Sequence, residues 1–167
     1  LKMIRPDGAV YHKVTCANFC GMIPPHLERE ETIISPVSTT ATGDFAGAFA
    51  LASRVYGAFD PAFAQACLEA ARRTYAFLRS SPPLPFHNPP GITTGEYDDP
   101  CDADERFFAA ASLFAATGER AYLTDAEAFF KQDLPISLGW EDMAGYGYLC
   151  LLQSPFAASG EPFLQTL

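Results

Sequence analysis

Residues 96–108 read EYDDPCDADERFF, so six carboxylates (Glu96, Asp98, Asp99, Asp102, Asp104 and Glu105) precede a pair of phenylalanines. Like charges this close repel one another unless something positive is held among them. The helix that the phenylalanines begin accounts for part of the group. Asp102 is a good N-cap, Glu105 three residues on completes a capping box, and Asp104 adds charge at the positive end of the helix dipole. A cap contributes about 0.5–2 kcal/mol and each further charge less. Glu96, Asp98 and Asp99 lie ahead of the helix and are left over. A hard cation would use that surplus, because calcium takes six to eight oxygens from carboxylates, carbonyls and water in a flexible shell. The glycine and spacing of an EF-hand are absent.

A second metal pattern, His12, Cys16, Cys20 and His26, has ligand types that suit zinc. Its spacing is not that of a common finger, and the prolines before His26 stiffen the approach, so the cysteines read as thiols near a loop. Five scattered cysteines give no disulfide framework, and Cys67 and Cys150 fall in apolar helical patterns as buried thiols.

The elements that must position these groups are helical. The segment 35–57, SPVSTTATGDFAGAFALASRVYG, carries Phe45, Phe49, Ala52, Ser53 and Tyr56 at three- and four-residue spacing. A second helix opens with Asp60 as N-cap and Pro61 at its first position, and it ends before the proline-dense stretch 81–91. A third runs over 102–118 with Gly118 as C-cap, a fourth over 120–132, and a fifth from near Asp142 to 153. AVYHKVT at 9–15 is the one strand candidate. The junctions RVYGAFDPAF, FAATGERAYL and FAASGEPFLQ share a helix end, a glycine turn and an acid, the mark of stacked α-hairpins in a solenoid or closed toroid. Short turns at one end and long Pro-, Gly- and acid-rich loops at the other place a functional rim on the loop side.

Composition narrows the partners. The 167 residues carry a net charge of −9 with eleven scattered Lys and Arg, so nucleic acid and anionic membrane are poor partners. No apolar run approaches the roughly 20 residues of a membrane span.

The blocks RPDGAVYHKVT, NFCGMIPP, SPVSTTATGDFAGAFALASRVYGAFDPAFA, TGEYDDPCDADERFFAAASLFAATGE and LGWEDMAGYGYLCLL resemble, in order and spacing, the glycoside hydrolase family 9 cellulases. That resemblance implies an all-α (α/α)6 toroid, of which residues 1–167 would form about the middle half as a partial catalytic domain without its N- and C-terminal parts. It implies inverting hydrolysis of β-1,4-glucosidic bonds in cellulose and related glucans, and a secreted protein. The family's base comes from paired aspartates upstream of RPDG and its acid from a glutamate near the domain's end. No catalytic residue is therefore expected within this segment, and the segment alone is expected to be inactive. Alternatives are a cellobiohydrolase or exo-acting glycosidase of the same family, or a glucan-binding toroid without catalysis. Half a ring would also leave apolar hairpin faces open, so the isolated chain is expected to associate.

The resemblance further implies a calcium ion on Asp104 and Glu105, with oxygens near Asp99 to Cys101 and an acid after Trp140, either Glu141 or Asp142. Substrate contact is expected from His12 and Tyr97, which offer an aromatic face and polar groups to a sugar. The structural alternative for His12 is a ring satisfied by a backbone carbonyl. Trp140 is expected to pack in the core behind the metal loop, and His87 to be a solvated loop residue.

Overall fold

The computed structural model describes residues 1–130, 134 and 137–167. Five α-helices dominate: α1 (Thr39–Tyr56), α2 (Pro61–Ser80), α3 (Ala103–Thr117), α4 (Arg120–Phe130) and α5 (Ala144–Leu152). Their boundaries follow from local chemistry. Ser38 Oγ accepts the Ala41 N–H at 3.1 Å to start α1, and Asp60 accepts that of Phe63 at 3.0 Å to start α2. Gly118, at φ +70°, closes α3 by donating its N–H to the Phe114 carbonyl at 2.8 Å. Helix α1 begins later than its periodicity suggests, because Val37–Ser38 is spent on a strand. The part of α4 expected at residues 131–132 lies outside the described residues.

Helices α1 and α2 form one hairpin and α3 and α4 a second, and α3 also packs against α1 and α5. The row α1, α3, α5 thus has α2 and α4 behind it. Helix α3, with neighbours on three sides, is buried along nearly its whole length. Phe107, Leu113, Leu78 and Leu151 are fully enclosed around it, and Cys67 and Cys150 are buried thiols as expected. Two glycines let α1 approach α3 this closely. A Cβ on Gly43 would stand 2.6 Å from that of Glu105, and one on Gly47 would stand 2.4 Å from the Phe108 ring.

The strand expected over 9–15 is broken. Strand β1 (Val10–Tyr11) pairs antiparallel with β4 (Val37–Ser38), and β2 (Val14–Thr15) pairs with β3 (Ile33–Ile34). Between them His12 donates its N–H to the Pro36 carbonyl at 2.9 Å. Proline has no N–H to return, so the ladder lapses at His12 and Lys13. The lapse occurs where those two side chains meet the loop side of the helices.

Two expectations concern stability. Gly47→Ala gains about 1 kcal/mol of helix preference but forces a buried ring aside at about 2–3 kcal/mol, the upper part of the overpacking range, for a net loss of about 1–2 kcal/mol. Urea unfolding measures it against outward-facing Ala48→Ser, which stays within about 0.5 kcal/mol. Leu51 and Val55 of α1 and Tyr146, Leu149 and Leu152 of α5 are exposed. Residues 1–167 alone are therefore expected to self-associate in light scattering, and a clean monomer would contradict this.

Candidate functional site

The six carboxylates separate into distinct environments. Glu96 accepts the Asn88 N–H at 2.7 Å and faces His87 at 3.3 Å, which ties down the loop; Asp98 is exposed. His87 is itself exposed, as expected. The capping box does not form. Asp102 occupies the N-cap position of α3 without a side-chain cap and instead binds Arg106 through two bonds of 2.9 Å. The guanidinium outcompetes the backbone N–H because the pair is charge-assisted and bidentate. Arg106 also donates to the carbonyls of Leu78 and Ser81, at 2.6 and 3.0 Å, clasping the start of α3 to the end of α2.

Asp99, Asp104 and Glu105 remain, all buried, with one carboxylate oxygen from each lying within 4.8 Å of the others. Asp104 accepts the Met143 N–H at 2.6 Å, which ties α3 to the start of α5. Asp99 accepts the Cys101 N–H at 2.9 Å with one oxygen, and its other oxygen has no partner. Glu105 is 1% exposed, and neither of its carboxylate oxygens has a hydrogen-bond partner. A glutamate in its usual role at the third position of a capping box would not be left so.

The electrostatics follow. Burial first, then the charges of Asp104, Asp44 and Asp99, pushes Glu105 up to about 11. Burial raises Asp99 too, against the Cys101 N–H that lowers it. Without a cation, a proton on Glu105 is what quiets the cluster. Asp44 belongs to the same group although its sequence position gave it no role. It projects from α1, one oxygen is buried without a partner, and burial plus Asp104 and Asp99 lifts it to about 7. The available signal was an acid directly after Gly43 on a helix face otherwise built of Ala, Gly and Thr. Of the two acids after Trp140, Asp142 is partly buried and its charge acts on Asp99, whereas Glu141 is exposed.

One cavity of about 180 Å³ joins these acids to the aromatic candidates: Asp44, Asp99 and Glu105 line it together with His12, Thr40, Tyr97 and Trp140. Trp140 departs from expectation. It is 55% exposed rather than core, and it stands edge-on to Tyr97 with ring centroids 5.6 Å apart. Tyr97 is equally exposed, at 55%. It has φ +56°, the only non-glycine left-handed residue among those described, a conformation that costs about 1–2 kcal/mol. His12 stacks on Phe86 with centroids 4.0 Å apart and 6° between planes, and its Nδ1 lies 2.8 Å from Ser38 Oγ. Its ring also meets the Glu96 and Tyr97 backbone, and burial lowers its pKa. His12 is thus engaged with Ser38, Phe86 and the 96–97 backbone, and among the described residues the zinc pattern does not assemble.

Residues 1–164 match the sequence profile of glycosyl hydrolase family 9. The chain belongs to that family. It is 36% identical to endoglucanase D of Acetivibrio thermocellus over 172 aligned residues, covering 100% of this chain and 28% of that protein. It is also 36% identical to a cellodextrinase of Butyrivibrio fibrisolvens, covering 91% of this chain and 31% of that one. A crystal structure of a single-mutant thermostable endoglucanase from Alicyclobacillus acidocaldarius superimposes with a TM-score of 0.89 at 43% identity, over 93% of this chain and 30% of that one. The family 9 chain thus spans under a third of the length of these relatives. Its hairpins are a portion of the (α/α)6 toroid, and the row α1, α3, α5 with α2 and α4 behind is the pattern of that ring. Among the described residues no helix is long and apolar enough to cross a membrane.

The raised carboxyls set a pH dependence for the chelator-treated family 9 protein. Groups whose folded pKa lies above the unfolded one stabilise the fold below the unfolded value, near pH 4, and lose that contribution as pH rises through the folded value. The window is about 4 to 7 for Asp44 and extends to about 11 for Glu105. The metal-free melting temperature should therefore fall between pH 5 and 8, at about 2–4 °C per kcal/mol for a chain this size. Glu105→Gln, which cannot ionise, should flatten that fall in calorimetry at matched pH. An equally steep fall in the variant would assign the dependence elsewhere.

Proposed function

We propose that this chain is the central part of the catalytic domain of a secreted, inverting endo-β-1,4-glucanase acting on cellulose and related β-glucans. Its own residues build one side of the sugar cleft and a structural calcium site. Segments outside 1–167 would supply the base and acid, since inversion needs two carboxyls about 6.5–9.5 Å apart with a water between. The acids of the described cavity are clustered with one another instead. The observation that carries the reading is the shared cavity, with Tyr97 and Trp140 crossed at its mouth, His12 on its wall and carboxylates at its base. Exposed aromatic rings beside polar groups are what a sugar's apolar faces and hydroxyls require. Relatives named endoglucanase and cellodextrinase support the same substrate class.

The fit to calcium rests on the orphaned oxygens of Glu105 and Asp99. Asp99, Asp104 and Glu105 would hold the ion, with Asp142 the better placed of the two acids after Trp140. Bound there, calcium supplies compensating charge and ties the 92–101 loop to α3 and α5.

The full-length protein is expected to lower the viscosity of a soluble cellulose derivative quickly, with the α-anomer as the first product by NMR. Binding of glucan without hydrolysis would instead favour a non-catalytic toroid. For the metal, calcium at about 100 times its Kd should add about 2.7 kcal/mol of stability. Flat calcium calorimetry together with an unchanged melting temperature in chelator would remove the site.

A further inference from the structure

We propose that Lys13 is a positioning residue that holds the 94–97 loop so that Tyr97 stands at the mouth of the cavity, and that it acts on the substrate only through Tyr97. This rests on the reading above that Tyr97 contacts sugar.

The loop needs a holder. Tyr97 is exposed and left-handed, an arrangement that an unsupported tyrosine would leave. Lys13 sits where the ladder lapses between β1 and β2, and its Nζ donates to the Gly95 carbonyl and, at 3.4 Å, to Thr94 Oγ1. The same ammonium lies 5.9 Å from the Tyr97 ring centroid and 5.5 Å from that of Phe86, on which His12 is stacked. A cation facing two ring faces is attracted to both. Neighbouring contacts fix the rest of the loop. Thr15 Oγ1 lies 2.7 Å from Thr94 Oγ1, and Glu96 is bound on the far side by the Asn88 N–H. At Gly95 a Cβ would stand 3.1 Å from the Tyr97 ring, so the ring folds back over that residue. Lys13 thus directs its donors into the loop backbone and hydroxyl rather than into the cavity, whose lining includes Tyr97 but not Lys13.

A double-mutant cycle on the full-length protein tests this with a soluble cello-oligosaccharide. Tyr97→Ala should raise KM about tenfold with kcat within about twofold, the pattern of lost uniform binding. Lys13→Met should raise KM by a similar or smaller factor, and the double variant should be no worse than Tyr97→Ala alone. If the factors multiply, or if Lys13→Met changes nothing while Tyr97→Ala does, the positioning role is overturned and the sugar contact of Tyr97 stands. If Tyr97→Ala leaves KM unchanged, the sugar contact fails and takes the proposal with it. Should Lys13→Met not fold, Lys13→Gln, which keeps a donor without the charge, enters the same cycle.

Discussion

The constraint on which this structure turns is the burial of Glu105. Its carboxylate is enclosed at the contact between two helices without a single hydrogen-bond donor, and three more carboxyls lie close enough to raise its pKa. An isolated ionised group in such a place would cost far more than any one packing contact returns. The fold must therefore supply either a proton or a cation there. The surrounding helices are built so that nothing else can relieve the charge. Gly43 brings the α1 backbone against Glu105 and leaves no room for a side chain between them. Arg106, one residue along, is turned toward Asp102 and the end of α2.

The turn of Arg106 is as informative as the burial of Glu105. Had Asp102 capped α3, Arg106 would have been free to seek the neighbouring acids. By engaging Asp102 through two bonds and the carbonyls of Leu78 and Ser81 at the end of α2, it fixes the first turn of α3 in position while remaining out of the cluster. Asp104 then fixes a second direction through the Met143 N–H. The start of α3 is thereby tied to α2 on one side and to α5 on the other. The backbone that carries Asp104 and Glu105 is thereby fixed by contacts within the protein itself.

Much of this was legible in the sequence. The helices were, because their apolar spacing and their caps at Asp60 and Gly118 are local signals. So was the acidic cluster, because charge density is visible without a fold. The failures were tertiary. Asp102 followed a pattern that predicts a cap, but a competing arginine four residues away won through bidentate geometry. Trp140 was expected in the core from its place at a helix start behind the acidic loop, yet it is 55% exposed and meets Tyr97 instead. Asp44 was not assigned a role, because it becomes meaningful only against partners more than fifty residues distant. A single residue type at one position carries no record of what faces it across a helix contact.

The division of labour between helices and loops follows from the same electrostatics. Three of the four carboxyls of the cluster, Asp44, Asp104 and Glu105, are carried by α1 and α3, whose rigidity keeps them from moving apart or reaching water. Aromatic rings at the mouth have the opposite requirement. They must remain exposed to be of use, so packing alone cannot hold them, and loop contacts must do so. Tyr97 meets this by accepting an unfavourable backbone conformation, with its edge-on contact to Trp140 spanning two loops that are far apart in sequence. Those two loops also meet at the acidic cluster, where Asp104 of α3 accepts the Met143 N–H and the charge of Asp142 raises Asp99. Neutralising the cluster therefore relieves repulsion between acids of the two loops that carry the rings. On the proposed glucan reading, a neutral, hydroxyl-rich ligand would gain little from charge itself, and the use of the buried charge would be mechanical: it would bear on the spacing of the rings that such a ligand would touch.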